Sequence, residues 1–201
     1  MFTFLKNLPC FKKMRIVCNG HPALRRHAEP IPEITPEIRE LAERMIVTML
    51  ENDVVGVGLA APQVGVSKRL IVVKTTGEDN ASRPDALPGE LFLDSRMPIA
   101  LVNPAIVSAS PETECDTEGC LSLPGVSGHV TRPARVILSA KLLDGSDFTG
   151  ECGGLLARCL QHEIDHLDGV LFYDRLPPEE QAKNTITMKK LERKELAHCR
   201  N

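Results

Sequence analysis

The chain has no tryptophan and a single tyrosine, and aromatic residues make up only 3% of its 201 residues. Neither charge sign dominates, because 27 acidic residues face 24 lysines and arginines and leave a net charge of −3. That balance argues against a broad basic surface for DNA and leaves only local basic patches. No apolar run approaches the roughly 20 residues that a membrane-spanning helix needs. We therefore expect one domain with its own core, since a chain of this length can bury one.

The cysteine spacing also gives no sign of a disulfide framework. The seven cysteines are irregularly spaced, and no two of them form a Cys-x-x-Cys motif. An odd number without a framework favours reduced thiols and a cytoplasmic protein. The opening residues lack the apolar length and the cleavage site of a secretory signal. We expect residues 1–13 to be a flexible extension, residues 14–178 to form the main domain and residues 179–201 to form a basic helix or tail.

Hydrophobic patterning predicts helices and strands in mixed order. Apolar residues recur at helical spacing over residues 36–51, after Thr35 and Pro36, which suit a helix start. Residues 69–74, 99–103 and 136–142 read as strands. The polar, Pro- and Gly-rich residues 77–98 predict a long connecting loop. A surface helix is expected beyond Pro178.

One further helix should begin after Gly153 and Gly154 and end before Gly169. Along it, Leu155, Cys159, His162 and His166 fall on one stripe, which predicts an apolar seam facing the core. These elements together predict an α+β fold, with small, mostly antiparallel sheets wrapped around this central helix and a C-terminal surface helix.

The same helix carries the most informative motif, His162-Glu163-Ile164-Asp165-His166. Residues four apart share a helix face, so both imidazoles can bind one metal ion. Glu163 lies beside that face, where a proton shuttle for a metal-bound water would stand. Two buried histidines and a surface carboxylate are the structural alternative, because this five-residue pattern also occurs by chance.

A catalytic metal site needs a third protein ligand, and the sequence offers three kinds. A third histidine is excluded at the position where metzincin proteases have one, because Phe172 stands there. A glutamate on a following helix is available in Glu179, Glu180 and Glu192, but nothing singles one out. A thiolate is available in Cys120, within Glu118-Gly119-Cys120-Leu121-Ser122, where a strand edge could approach the helix.

Three segments, in order and spacing, resemble the signature motifs of peptide deformylases. They are Gly56-Val57-Gly58-Leu59-Ala60-Ala61-Pro62-Gln63, Glu118-Gly119-Cys120-Leu121-Ser122 and Gln161-His162-Glu163-Ile164-Asp165-His166. The resemblance extends from about Met14 to Leu176 and implies that the main domain is a deformylase catalytic domain of the same α+β architecture.

The resemblance implies a metal-dependent hydrolase that removes the N-formyl group from formyl-methionine at the start of newly synthesised polypeptides and releases formate. Cys120, His162 and His166 would bind one divalent ion, Fe(II) in this family, with Zn, Ni or Co also acceptable. Metal-bound hydroxide would attack the formyl carbon, and Glu163 would shuttle the proton. The Gln63 amide and the backbone N–H of Leu121 would stabilise the oxyanion.

Substrate contacts are expected along the glycine-rich segments. Gly56, Val57, Gly58 and Gly119 would face an extended peptide that hydrogen-bonds as an added strand, although a turn needing glycine is the alternative. Cys159 and Leu156 are candidates for lining a methionine pocket. Some deformylases carry Glu and Arg after the cysteine motif, where this chain has Gly125 and Ser127, so its peptide preference is expected to differ.

Other interpretations and partners remain open at this point. Arg132 is expected to pair with a carboxylate such as Glu118, and an ordinary surface arginine is the alternative. The basic C-terminal segment could contact the ribosome or be a solvated helix face. A zinc endopeptidase and a catalytically inactive metal-binding protein are the rival functions.

Overall fold

The structure, a computed structural model, describes residues 12–52, 56–75 and 86–199. Within these ranges the α-helices are α1 (Pro36–Leu50), α2 (Pro88–Asp94), α3 (Gly154–Leu167) and α4 (Pro178–His198). The strands are β1 (Gly58–Ala60), β2 (Leu70–Val73), β3 (Ile99–Ala109), β4 (Thr113–Gly119), β5 (Ser127–Pro133), β6 (Arg135–Leu142) and β7 (Asp147–Gly153). Short 3₁₀ helices lie at Pro22–Arg25, Ala61–Val64 and Phe172–Arg175. The expected extension at residues 1–13 lies almost wholly outside the described residues.

Two antiparallel sheets surround α3. The larger sheet has the strand order β1-β2-β3-β6-β7, and the smaller sheet pairs β4 with β5. Buried side chains of α3, among them Leu156, Ala157 and Leu160, join one core cluster with residues of the larger sheet. The predicted α+β fold with small antiparallel sheets around a central helix is confirmed.

Strand β2 shows how the two sides of the larger sheet are filled. Ile71 and Val73 belong to the core cluster that includes α3, whereas Leu70 and Val72 belong to the cluster that includes α1. Successive side chains of a strand point to opposite faces. All four residues are fully buried, so this strand lies between two helical layers, and the buried strand predicted at residues 69–74 is confirmed.

Helix α1 begins at Pro36, as predicted, and ends one residue earlier than predicted. Its Ala42, Met45 and Met49 are buried against the second face of the larger sheet. Pro36 has no N–H to leave unsatisfied in the first helical turn and has a backbone angle suited to it. The apolar stripe then buries itself on the sheet.

The loop predicted at residues 77–98 is wrong where the structure describes it, because α2 lies within it. Pro88 begins the helix, and Oε2 of Glu90 accepts a hydrogen bond of 2.8 Å from the N–H of Leu87. Leu93 is fully buried. A cap and one buried leucine stabilise a helix too short to give a periodic pattern. Residues 77–85 of the predicted loop lie outside the described residues.

Helices α3 and α4 form close to the predicted positions. Gly169, just beyond α3, has φ of +75°, a conformation that glycine adopts without the steric cost of a Cβ. Helix α4 is mostly exposed, as predicted, but its inner face buries Met188 and Glu195. Across the described residues, no helix is long and apolar enough to span a membrane.

Candidate active site

Three side chains of types that bind metal ions meet where the smaller sheet approaches α3. Cys120 directly follows β4, and His162 and His166 lie one turn apart on α3. Their donor atoms all lie within 4.8 Å of one another, and Sγ of Cys120 is 3.3 Å from Nε2 of His166. One thiol and two imidazoles form a donor set that Zn, Fe, Co and Ni ions accept. Phe172, at the position of the excluded third histidine, instead stacks on the ring of His162.

A buried carboxylate orients the first histidine. Oε2 of Glu118 lies 2.9 Å from Nδ1 of His162, which leaves Nε2 of that ring for a metal ion. Arg132 donates two hydrogen bonds to Glu118, of 2.6 and 2.9 Å, and Arg158 donates a third of 2.8 Å. Burial by itself would raise the pKa of Glu118, but hydrogen bonds from Arg132 and His162 outweigh burial and hold that pKa well below its usual range.

Arg132 is therefore not a surface residue. Its side chain is only 3% exposed, and it also donates to Oδ2 of Asp165 at 2.8 Å. The expected pairing of Arg132 with Glu118 is confirmed. A buried guanidinium between two carboxylates ties β5, which carries Arg132, to the start of the cysteine motif and to α3.

The two histidines have different electrostatic surroundings. Burial lowers the pKa of His162, but hydrogen bonds with Cys120 and Glu118 more than offset burial and raise it to about 10. Burial lowers the pKa of His166 well below its usual value, and the positive charge of His162 lowers it further. The neutral imidazole, the form that binds metals, is thus favoured at His166.

Gln63 points its amide nitrogen into the group of metal donors. It is 1% exposed and lies in the 3₁₀ helix Ala61–Val64. Its Oε1 accepts a hydrogen bond of 2.8 Å from the backbone N–H of Ala60, which fixes the orientation of the amide. Nε2 then lies 3.3 Å from Sγ of Cys120 and 3.3 Å from Oγ of Ser122. This N–H₂ group is a hydrogen-bond donor held in a fixed orientation beside Cys120.

Glu163 is buried at the edge of the same site. Its side chain lies next to Gly58 and Cys159, and the residue is 4% exposed. Oε2 has no hydrogen-bond partner among the residues that the structure describes. Burial raises the pKa of Glu163 to about 7, against the opposing effect of the charges on His162 and Arg132. A carboxyl group with such a pKa can both accept and release a proton near neutral pH.

A cavity of about 610 Å³ opens onto these groups. The four residues predicted to contact the peptide backbone, Gly56, Val57, Gly58 and Gly119, all line it. The predicted catalytic residues Gln63, Leu121 and Glu163 also line it, as do Cys120 and His162. His166 lies behind them and is 1% exposed. The cavity therefore brings together residues from segments more than 100 positions apart in the sequence.

Two sequence expectations about the cavity wall are wrong. Leu155 does not face the core but is 50% exposed, and it lines the cavity. Leu156, proposed for a methionine pocket, is 2% exposed and belongs to the core cluster instead. On the first turn of α3, the face that carries Leu155 meets the cavity, whereas the face that carries Leu156 meets the core. Cys159 is buried and does line the cavity.

Arg158 is a cavity residue that the sequence analysis missed. It donates to Glu118, to the Val130 carbonyl at 2.9 Å and to the Glu114 carbonyl at 2.8 Å. Helical spacing could have found it, because Arg158 lies four residues before His162 and so shares its face. Its guanidinium holds the two-stranded sheet against α3 along one wall of the cavity.

Comparison with known proteins identifies relatives of this chain. The family described as polypeptide deformylase matches residues 13–182. Peptide deformylase 2 of Gloeobacter violaceus is 48% identical over 157 residues, 78% of this chain and 75% of the relative. Peptide deformylase of Desulfitobacterium hafniense is 45% identical over 161 residues, 80% of this chain and 93% of the relative. The crystal structure of peptide deformylase from Ehrlichia chaffeensis superposes with a TM-score of 0.77 at 33% identity and covers 94% of this chain and 99% of that one.

Proposed function

The chain belongs to the polypeptide deformylase family, whose members remove the N-formyl group of nascent polypeptides, and we propose that Cys120, His162 and His166 form its catalytic metal centre. The observation that carries the proposal is the convergence of these three donors, within 4.8 Å of one another, on the cavity that also holds Gln63 and Glu163. The family match to residues 13–182 supports a catalytic domain at residues 14–178.

The family is metal-dependent, and the donor set of this chain fits a divalent transition-metal ion. We propose Fe(II) as the ion held in the cell, with Zn, Ni or Co as alternatives that the same sulfur and nitrogen ligands accept. When bound, the ion supplies Lewis-acid chemistry that lowers the pKa of coordinated water. Glu118 fixes the ring of His162 from behind, as outer hydrogen-bond partners of metal ligands do.

Glu163 is the proposed proton shuttle. Its buried carboxylate has one oxygen without a protein partner among the described residues, and its pKa is about 7. It takes a proton from the attacking water and returns it to the leaving amine. A carboxylate with a pKa near the working pH does both steps with little penalty.

Gln63 and the backbone N–H of Leu121 are the proposed oxyanion donors. The Ala60 N–H holds the Gln63 amide in one orientation before substrate arrives. Donors fixed in advance stabilise developing negative charge without the cost of reorganisation, and losing one costs ~10²–10³ in rate. The formyl oxygen would accept from Nε2 of Gln63 in the space next to Cys120.

The peptide would run along the glycine-rich wall of the cavity. Gly56, Gly58 and Gly119 let an extended backbone approach closely, and the apolar side chains of Val57 and Leu155 at the cavity mouth suit a methionine side chain. Gly125 and Ser127 provide no long charged side chain to hold the peptide further along. We propose a peptide preference set mainly by backbone contacts.

Two finer proposals concern where the enzyme works. We propose that it acts in the cytoplasm, and that lysines and arginines of α4, including Lys189, Lys190, Arg193 and Lys194, contact ribosomal RNA phosphates. Co-sedimentation with ribosomes at increasing salt, with and without residues 179–201, tests the second proposal. Equal co-sedimentation of the two forms would rule it out.

Formate release tests the proposed function directly. Protein purified without oxygen and analysed for its metal content should release formate from a formyl-Met peptide and leave internal peptide bonds intact. Cleavage of an internal bond would instead favour the zinc endopeptidase. Cys120→Ser should lower both the metal content and formate release, because an alcohol is a poor ligand for these ions. Full metal occupancy in that variant would remove Cys120 from the centre.

A further inference from the structure

A segment at the start of the described chain connects α4 to the proposed oxyanion donor. The backbone N–H of Val17 donates to the Gln63 carbonyl at 2.8 Å, and that of Asn19 donates to the Ser122 carbonyl at 3.2 Å. Ser122 also accepts from the Gln63 amide through its hydroxyl. Residues 17–19 therefore bridge the two segments that supply Gln63 and Cys120. Val17 is 4% exposed and packs with Leu123 in the same core cluster.

Helix α4 holds the other side of this segment. Arg15 donates to both carboxylate oxygens of Glu195, with N–O distances of 3.1 and 2.5 Å. The side-chain amide of Asn19 donates to the Met188 carbonyl at 3.1 Å. At Gly20, a Cβ would lie 3.0 Å from Cα of Glu192. The backbone of the segment thus lies directly against the helix, and side-chain hydrogen bonds from Arg15 and Asn19 hold it there.

Glu195 is the central residue of this contact. It is 4% exposed on a helix that is otherwise largely solvated. His21 and Cys199 offer donor atoms within 4.8 Å of its carboxylate, but both oxygens of Glu195 already accept from Arg15, and Nδ1 of His21 accepts from the Ala23 N–H. Glu195 therefore holds the N-terminal segment against α4 through its hydrogen bonds with Arg15 and with the Cys18 backbone.

We propose that Glu195 and Arg15 are positioning residues for deformylation, which act through residues 17–19 on the Gln63 amide. This inference rests on the proposed function, because it takes Gln63 as an oxyanion donor. Neither residue lines the cavity that holds the metal donors, so neither touches substrate. Loosening the ion pair lets the segment shift, and the carbonyls of Gln63 and Ser122 shift with it. A donor displaced from its aligned position loses part of its effect on the transition state.

The test is a double-mutant cycle on full-length, metal-loaded protein with a formyl-Met peptide. Glu195→Gln keeps the shape of the side chain and removes its charge. We expect kcat to fall about three- to tenfold, a fraction of the ~10²–10³ for a whole oxyanion donor, while KM changes less than about twofold. In a Gln63→Ala background the same substitution should change kcat by less than about twofold, because the amide being positioned is gone. Asp147→Asn, the same acid-to-amide change in an exposed ion pair with Lys141, should leave kcat as in the wild type.

The outcomes separate the inference from the function on which it rests. If Gln63→Ala retains full kcat, Gln63 is not an oxyanion donor, and the proposed function fails at that residue. If Gln63→Ala is impaired but Glu195→Gln lowers kcat by the same factor in both backgrounds, or not at all, the positioning role is wrong. If Glu195→Gln does not fold, Asn19→Ala, which removes the hydrogen bond to the Met188 carbonyl of α4, is measured in the same double-mutant cycle. A kcat loss for Asn19→Ala that does not depend on Gln63 likewise overturns the inference.

Discussion

Gly58 lies against the side chain of Glu163 so closely that a Cβ on Gly58 would be 2.5 Å from Oε1 and 2.8 Å from Cγ of Glu163. The same Cβ would be 2.8 Å from Sγ of Cys159. Contacts this short require one of the groups to move. A glycine is therefore needed here for packing against the proposed proton shuttle, a reason distinct from the flexible turn that the sequence left open as an alternative.

Gly58→Ala should therefore lower kcat by displacing Glu163, while the metal content stays at the wild-type level. We expect a loss of ~10–10²-fold, part of the ~10²–10⁴ that general acid–base catalysis contributes. Gly119→Ala is the matched comparison, because its Cβ would meet only the Val126 carbonyl, at 3.9 Å. That variant should change KM more than kcat. Steady-state kinetics and metal analysis are carried out on both variants. Equal kcat losses in the two would contradict a specific displacement of Glu163 by Gly58→Ala.

Replacing Glu163 with glutamine should leave the metal bound and nearly abolish turnover. The amide fills the same space but cannot take up a proton, so the loss in kcat should be ~10²–10⁴-fold. Metal content and formate release are measured on the same preparation. Unchanged turnover in metal-loaded Glu163→Gln would eliminate Glu163 as the shuttle.

The neighbours Leu155 and Leu156 should respond in opposite ways to truncation. Leu156→Ala removes a buried side chain and should cost ~2–5 kcal/mol of unfolding free energy. Leu155→Ala removes an exposed cavity-wall side chain, so it should change stability little and raise KM for formyl-Met peptides. Urea unfolding measures the stability of both variants, and steady-state kinetics measures their KM. A large stability loss for Leu155→Ala would place it in the core after all.

Arg132→Met should destabilise the fold and weaken metal binding together. Removing a buried guanidinium leaves Glu118 and Asp165 without that partner, and breaking a buried ion pair typically costs ~3–5 kcal/mol. Glu118 would also hold His162 less firmly, and loss of such outer contacts lowers metal affinity ~10–100-fold. The side chain of Arg135 is 49% exposed. Arg135→Met should therefore lower the unfolding free energy by at most ~1 kcal/mol. Comparable losses in the two variants would contradict the buried role.

The Arg15–Glu195 pair should make stability depend on pH in acid. The hydrogen bond from Arg15 holds the pKa of Glu195 below its ordinary value of 4.5. A carboxylate whose pKa is lower in the folded than in the unfolded state stabilises the fold at pH values above the unfolded-state pKa. This stabilisation is lost as pH falls through the folded-state pKa. The unfolding free energies of wild type and Glu195→Gln should therefore differ most near neutral pH, and the difference should shrink as pH falls from 4.5 through the lowered pKa of Glu195. Denaturant titrations across this range measure the gap, and a gap that widens in acid would contradict the assignment.

Local signals in the sequence were enough for the longer helices α1, α3 and α4, for β2 and β6 and for the start of β3, but they did not reveal β1, β4, β5 or β7. Periodicity and the glycines at either end predicted α3, and strand alternation predicted β6. They failed at α2, where a single cap from Glu90 and one buried leucine are too little pattern to detect among prolines and glycines. They also failed at Leu155, because helical spacing shows which residues share a face but not whether that face meets the core or, as at Leu155, an open cavity.

What the sequence by itself determined was the pairing of His162 and His166, because residues four apart on a helix share a face whatever surrounds them. The partners of those groups from other parts of the chain were decided by the tertiary structure. Cys120, Gln63 and Glu118 reach the histidines, and α4 reaches Gln63 through Arg15 and Val17, because two sheets pack around α3. Contacts between distant segments depend on how buried surfaces fit in three dimensions, and no local pattern encodes that fit.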